Sequence, residues 1–337
     1  MVVEASRVSL STLNRAKFCV EAIRGSTTNR MGPKNKKLKR SNEKMPEENQ
    51  LHAADGSYGS EMDMNCKSIN DVQEIPAEDG SIAKQVLDIE KKQCEELLKI
   101  NYGKGVCYIY NPIDYAHEIH EDFVTKFCSG GKKLLLLGMN PGPWGMGQTG
   151  VPFGHVGYAR DWLGVKGNVL KPVKEHPKRP ITGLECSRNE VSGDRLWSLL
   201  KELSGSPEVL FSQVFLHNYC PIFFLKDSAK NVTPPELKVK ERANLEAICD
   251  KALVEVVQLL GVEHVVGVGN YAADRAQAGL LKAGLETVKV STLMHPSPVN
   301  PAANKGWKEI ATKQLTENGI IHYFKPKTII PDNEKCS

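Results

Sequence analysis

The stretch Lys133-Leu134-Leu135-Leu136-Leu137-Gly138-Met139-Asn140-Pro141-Gly142-Pro143 decides how the rest of the chain is read. Four leucines in a row show no polar alternation, so the run predicts a strand buried on both faces, as in a parallel sheet. Glycine, asparagine and two prolines then turn the chain out of the strand. Working outward, further short apolar runs lie at Val106–Tyr110, Val214–Leu216, Val265–Val268 and Val288–Leu293. Helical patterns fall between and around them at 114–128, 155–163, 193–203, 235–260, 270–283 and 301–318. Ile82, Val86, Leu87, Leu97 and Leu98 predict an amphipathic helix ahead of all of these. Pro234 and Pro235 are placed at the start of the 235–260 helix, where a missing N–H costs little, and Gly261 at its end. The alternation predicts an α/β fold, a three-layer α/β/α arrangement with a central, mainly parallel sheet.

The 337 residues are 40% hydrophobic and 25% charged, ordinary values for a globular chain, and no internal repeat is visible. Aromatics at 7% argue against an aromatic-rich all-β binding module. No apolar run approaches the roughly 18 residues that a transmembrane helix needs, so no membrane partner is expected. The net charge of +4 conceals a division: residues 1–40 carry +8 and residues 41–80 carry −8. With few apolar residues and poor periodicity, 1–80 is expected to be a disordered arm with basic then acidic halves. Residues 81–325 would form the globular domain and 326–337 a flexible tail. The run Pro33-Lys34-Asn35-Lys36-Lys37-Leu38-Lys39-Arg40 reads either as a nuclear import signal or as a solvated basic stretch. A nuclear protein is expected. Residues 1–30 lack the apolar core of a secretory signal, a transit peptide is the weaker reading, and Met31 is a candidate alternative start.

Nine cysteines without a C-x-x-C pair suggest a reducing compartment, with no iron–sulfur or zinc-finger spacing. His117 with His120, and His217 with Cys220, have half-site spacing, but core or surface-helix readings are preferred and no metal is expected. Gly142, Gly145 and Gly147 fall in the wrong order for a dinucleotide fingerprint, and Pro141 and Pro143 remove N–H groups that a phosphate cradle would use. No cofactor is expected.

Ligands of open α/β sheets bind at the carboxyl ends of the parallel strands. The residues following the strands are therefore the candidates: Asn140 after the first, His217-Asn218-Tyr219-Cys220-Pro221 after the second, Gly269-Asn270 after the third and Met294-His295-Pro296-Ser297-Pro298 after the fourth. Asn140 cannot abstract a proton near neutral pH, but its oxygen can orient a water; it also reads as a turn residue ahead of Pro141. His295 can donate to an oxygen that gains negative charge, an effect worth roughly 3 kcal/mol when preorganised, or it is a satisfied buried histidine. Asn218 can pair with the edge of a planar amide such as a nucleobase, or cap a turn. Phe153, in Val151-Pro152-Phe153-Gly154, is either a stacking wall or core packing. In Pro296-Ser297-Pro298-Val299-Asn300-Pro301 the prolines stiffen the loop, Asn300 reads as an N-cap and Pro301 as the first helical residue. Such a loop suits a wedge into a base stack, and it also reads as an ordinary strand-to-helix connection.

Taken together, Gly138-Met139-Asn140-Pro141-Gly142-Pro143, Gly150-Val151-Pro152-Phe153-Gly154, His217-Asn218-Tyr219-Cys220-Pro221 and His295-Pro296-Ser297-Pro298 resemble the single-strand-selective monofunctional uracil-DNA glycosylase family, over about residues 84–325. The resemblance implies that Asn140 positions the hydrolytic water and His295 stabilises the departing uracil anion. It implies that Asn218 reads the pyrimidine, Phe153 stacks on it and Met139 lends backbone contacts. Gly142 would leave room beside C5, so that 5-hydroxymethyluracil and other oxidised 5-substituted uracils are accepted. Pro296, Ser297, Pro298, Val299 and Asn300 would form the DNA wedge. The family commonly has arginine where this chain has Val299, a departure bearing on wedge strength and duplex activity rather than on chemistry. The implied partner is single- and double-stranded DNA containing uracil or oxidised pyrimidines, bound by a monomer. No pocket motif contains a lysine that could attack the sugar, so base removal without strand cleavage is expected. A non-catalytic DNA-damage-binding protein is the alternative; a mismatch-type glycosylase is disfavoured by His-Pro-Ser-Pro.

Overall fold

The computed structural model describes residues 80–325. In chain order the helices are α1 Ile82–Leu98, α2 Pro112–Tyr115, α3 His117–Phe127, α4 Met146–Thr149, α5 Val191–Ser204, α6 Pro207–Phe211, α7 Val239–Leu260, α8 Asn270–Lys282 and α9 Trp307–Glu317. The strands are β1 Tyr108–Tyr110, β2 Leu134–Gly138, β3 Val214–Asn218, β4 Phe223–Leu225, β5 Asn231–Val232, β6 His264–Val268 and β7 Lys289–Leu293. The expected arm and tail lie outside the described residues, apart from Gly80.

Four strands form one sheet in the order β3-β2-β6-β7, every pair parallel. The leucine run is its inner strand β2, and β2, β3 and β6 are buried at every position. Side chains on both faces of these strands are therefore covered. Helix α8 packs on β6, β7 and β2 and meets α7, which carries α1; α6 packs on β3, α9 on β7, and α5 joins α6 to α9. This is the expected three-layer arrangement. The outer strand β7 opens with exposed Lys289 and is only half-buried along most of its length, which suits a sheet edge. Among the described residues no helix is long and apolar enough to cross a membrane.

Four expectations are corrected. The run Val106–Tyr110 contributes β1 to a separate antiparallel sheet, β1-β4-β5, whose other strands the sequence reading did not anticipate. That sheet packs its own small cluster of Tyr110, Tyr115, Ile181, Phe223 and Leu225. The 114–128 helix is broken at Ala116, which leaves the helical conformation at φ −114°, ψ 30°. The 155–163 stretch contains a wide π-type turn, Tyr158–Trp162, in place of a regular helix. Pro234 and Pro235 occupy a separate short turn, where the Glu236 carboxylate accepts from the Thr233 N–H and hydroxyl at 2.9 and 3.0 Å; extended Leu237 then delays α7 to Val239. Gly261 ends α7 in a left-handed conformation, as its position predicts.

Candidate active site

Because all four strands of the main sheet run the same way, their carboxyl ends lie along one edge. From β3 to β7 the residues leaving that edge are Asn218, then Met139-Asn140, then Gly269, then Met294-His295. Neighbouring strands are about 4.8 Å apart, so roughly 10 Å separates the ends of β2 and β7.

The tightest part of the site is built over Gly138, paired in register with Asn218. A methyl group on Gly138 would stand 2.1 Å from Asn218 Oδ1 and 2.7 Å from the Phe153 ring tip. The amide and the ring are thus packed side by side on bare backbone. Asn218 is only 4% exposed, yet its amide makes no strong hydrogen bond. Nδ2 points at the weak acceptor Met146 Sδ, 3.0 Å away, and Oδ1 receives no donor from the described residues. An unspent donor and acceptor on one buried amide are what the edge of a pyrimidine needs.

Phe153 lines this wall and also packs against the main core. It is half-buried and holds φ at 55°, a region that non-glycine residues rarely occupy. Its carbonyl accepts the Trp197 indole N–H at 3.2 Å and lies against Gly193, which fixes the strained turn. Such strain persists only where surrounding contacts over-determine it, and it clusters at functional sites.

Asn140 lies two residues beyond the Gly138–Asn218 pair and is half-buried. Its Nδ2 has a long 3.4 Å contact to the Pro141 carbonyl, and no described donor engages Oδ1. The Met139 carbonyl accepts from Cys220 N–H at 3.0 Å, which extends the β2–β3 ladder to the site. Gly142 lies next to Glu190: a Cβ there would stand 3.0 Å from Glu190 Oε2. Burial raises the Glu190 carboxyl above its ordinary value, against hydrogen bonds from Ser192 that lower it.

His295 packs its ring against Gly269 at the end of β6. Ser297 N–H donates to Nδ1 at 3.1 Å, so Nδ1 is the bare nitrogen and the neutral ring carries its proton on Nε2. Burial pushes the imidazole below its ordinary value, which keeps it neutral at pH 7. The ring is therefore a fixed neutral donor at the strand edge. It makes no hydrogen bond with Asn140 or Asn218.

The loop after His295 is knitted together. Asn300 N–H donates to the Ser297 carbonyl at 3.0 Å and Val299 N–H to Ser297 Oγ at 3.2 Å, while Asn304 Nδ2 donates to the Pro298 carbonyl at 2.8 Å. Arg195 of α5 clamps it, donating to the Pro296 carbonyl and to Asn304 Oδ1, each at 2.9 Å. Pro296 is buried, Pro298 is exposed, and Val299, 88% exposed, forms the apolar tip. The expected N-cap is corrected. Asn300 Oδ1 accepts only from Ala302 N–H, residues 303–305 make a tight turn, and Gly306 at φ 111° precedes the true start of α9 at Trp307.

Several supporting residues escaped the sequence reading. Glu90, 3% exposed on α1, contacts His120 Nε2 at 2.6 Å, and His120 Nδ1 bonds the Gly150 carbonyl at 2.8 Å. Both ring nitrogens face acceptors, so His120 is an imidazolium. Burial lowers the imidazole most, but the Glu90 charge and hydrogen bond, together with the Gly150 carbonyl, raise it above its ordinary value, while Glu90, itself raised by burial, is pulled down to about 2, chiefly by His120. His217 Nδ1 lies 3.2 Å from the second Glu90 oxygen, off the hydrogen-bond line. One carboxylate thus ties the Gly150–Gly154 turn, which carries Phe153, to the strand that carries Asn218.

With this geometry in place, the comparisons with known proteins are specific. The family model of the uracil DNA glycosylase superfamily matches residues 125–316. The crystal structure of wild-type Pedobacter heparinus SMUG2 shares the fold, with a TM-score of 0.50 and 17% identity over 72% of this chain and 98% of that one. The chain belongs to the uracil DNA glycosylase superfamily. Single-strand selective monofunctional uracil-DNA glycosylases of Rattus norvegicus and Mus musculus are 51% and 52% identical over 242 residues, 72% of this chain and 86% of each relative. The Bos taurus protein of the same name is 49% identical over 241 residues, 72% of this chain and 88% of its own. Within the superfamily, this chain is a member of the single-strand-selective monofunctional uracil-DNA glycosylase family.

Proposed function

We infer that this chain removes uracil from DNA by hydrolysing the N-glycosidic bond, the first step of base-excision repair, and leaves the strand intact. The observation that carries the reading is the buried Asn218 amide, without a strong partner and packed beside the strained Phe153 over Gly138. A uracil seated there takes Nδ2–H on its O4 and gives N3–H to Oδ1, with its face on the Phe153 ring.

The N1–C1′ bond breaks with both electrons leaving on the base, and His295 Nε2–H donates to the oxygen where that charge gathers. Asn140 Oδ1 holds a water against C1′. The water oxygen bonds to the sugar, and its proton is lost to solvent or to the departing base. No lysine belongs to the pocket motifs, so no amine takes the sugar into a Schiff base. A non-catalytic damage binder has no use for a water-orienting acceptor, and the unengaged Asn140 Oδ1 favours the enzyme.

The substrate range of this reading includes 5-hydroxymethyluracil and related oxidised uracils, in single- and double-stranded DNA, with duplex activity limited by the short Val299 tip. The protein acts as a monomer in the nucleus, delivered by the 33–40 basic run outside the described residues. A base-release panel tests this: oligonucleotides carrying uracil, 5-hydroxymethyluracil or thymine, single- and double-stranded, each followed by hot alkali. Release of the first two without breaks before alkali is expected; thymine release from a G·T pair, or a borohydride-trapped adduct, contradicts it. A reporter fused to residues 1–45 that stays cytoplasmic removes the localisation.

A further inference from the structure

Trp144 stands four residues after Asn140, on the Gly142–Met146 turn, and is half-buried. Two guanidinium groups gather on its ring. Arg179 lies 5.2 Å and Arg188 5.3 Å from the ring centre, within the range of a cation–π contact. Neither guanidinium has a carboxylate partner: Arg179 Nη1 donates only to the Lys178 carbonyl, its Nε is buried without an acceptor, and Arg188 makes no hydrogen bond with the described residues. The acid nearest Arg188 in sequence, Glu190, is turned to Gly142, and the one nearest Arg179, Glu175, accepts from Lys171 and the Ile181 N–H; neither pairs with the guanidinium groups.

The arrangement is held from below. Gln148, fully buried, donates to the carbonyls of Pro143 and Pro180 at 2.9 and 3.0 Å and accepts from Thr182 N–H at 2.8 Å. One side chain thus locks the Trp144 turn to the segment carrying Arg179. The Arg179 carbonyl also accepts from the buried Tyr110 hydroxyl at 3.1 Å. Two like charges on one ring, anchored and without a counter-charge, lose their mutual repulsion when an anion bridges them.

We propose that Trp144 seats Arg179 and Arg188 as a two-pronged clamp for the DNA phosphodiester flanking the extruded nucleotide. The inference rests on the glycosylase reading and deepens it. The clamp grips backbone, not base, and serves single strands as well as duplexes. It supplies on the Asn140 side of the pocket some of the hold that the short tip at Val299 lacks on the other.

The test is binding of the full chain to a short single-stranded oligonucleotide carrying 2′-fluoro-deoxyuridine, which resists hydrolysis, at salt between about 50 and 200 mM. Each phosphate contact on a single strand contributes about 0.7 to the slope of log affinity against log salt. Arg179→Gln with Arg188→Gln should flatten that slope by about 0.7, so that over a fourfold rise in salt the double variant loses about 2.6-fold less affinity than wild type. Trp144→Ala, which removes no charge, should flatten it too; a thermal melt checks that this variant folds. A methylphosphonate at the gripped phosphate should bring wild-type affinity down to that of the double variant and leave the double variant unchanged. An unchanged slope in the double variant overturns the clamp, as does a Trp144→Ala protein that folds and keeps the full slope. Uracil release by wild type is measured alongside: its absence defeats the glycosylase reading, whereas release with unaltered slopes defeats only the clamp.

Discussion

Gly138→Ala adds one methyl group at the point where the Asn218 amide and the Phe153 ring meet. The new carbon would stand 2.1 Å from Asn218 Oδ1, where carbon–oxygen contacts are about 3.3 Å at their closest. It would stand 2.7 and 2.9 Å from two Phe153 ring carbons, where about 3.5 Å is the near limit. The amide must therefore retreat by more than about 1 Å, and the ring by nearly as much. Gly138 has no left-handed backbone, so alanine costs nothing through φ, and the penalty is overpacking, about 1–3 kcal/mol. A displacement of about 1 Å in a positioning group costs on the order of 100-fold in rate. Single-turnover release of uracil from an end-labelled single strand, read after hot alkali, should fall by that factor while the thermal melt drops only a few degrees. Gly130→Ala, with nothing within 4 Å of its Cβ, is the control and should match wild type in both. A Gly138→Ala enzyme that folds and keeps the full rate would refute the pocket described above.

Phe153→Ala should raise KM for uracil-containing single strands several-fold with a smaller fall in kcat; unchanged kinetics would return the ring to core packing. His295→Leu should lose turnover while retaining DNA affinity, and because burial lowers the wild-type imidazole, any acid limb of the rate that it causes should lie below pH 6.5; a limb above that value contradicts the neutral donor. His120→Gln breaks the buried pair with Glu90 and should cost about 3–5 kcal/mol at pH 6. The raised imidazole stabilises below its unfolded value and loses that contribution as pH climbs through its folded value, so wild type should lose melting temperature above pH 6.5 and the variant should lose less; parallel curves would remove the imidazolium. Val299→Arg should raise release from duplex DNA relative to single strands, and an unchanged ratio would separate the loop tip from base extrusion.

The main sheet was legible because a parallel strand buried on both faces leaves a continuous apolar run, as at Leu134–Leu137. The antiparallel sheet was not: Phe223–Leu225 and Asn231–Val232 are too short for any periodicity to register. The false helix start at Pro301 shows that cap-like residues also close isolated turns; Gly306 was the stronger signal. The strand-end placement of Asn140, Asn218 and His295 was legible because each follows an apolar run, and strand ends are where an α/β sheet exposes its ligand site. Glu90 could not, since it sits among Lys91, Lys92, Glu95 and Glu96 and resembles a solvated face. Its one signal is position, one helical turn from Val86 and from Cys94 on the buried stripe. Arg195, Gln148 and Glu190 act through contacts distant in sequence, which no local pattern encodes.

In the proposed reaction the Asn140 amide oxygen orders the attacking water. Single-turnover uracil release by Asn140→Ala, at DNA concentrations that saturate it, isolates that oxygen from binding. The prediction is a protein that melts like wild type, still binds the uracil-containing strand and releases base at least 100-fold more slowly. Release at the wild-type rate from that variant would contradict the mechanism at its centre.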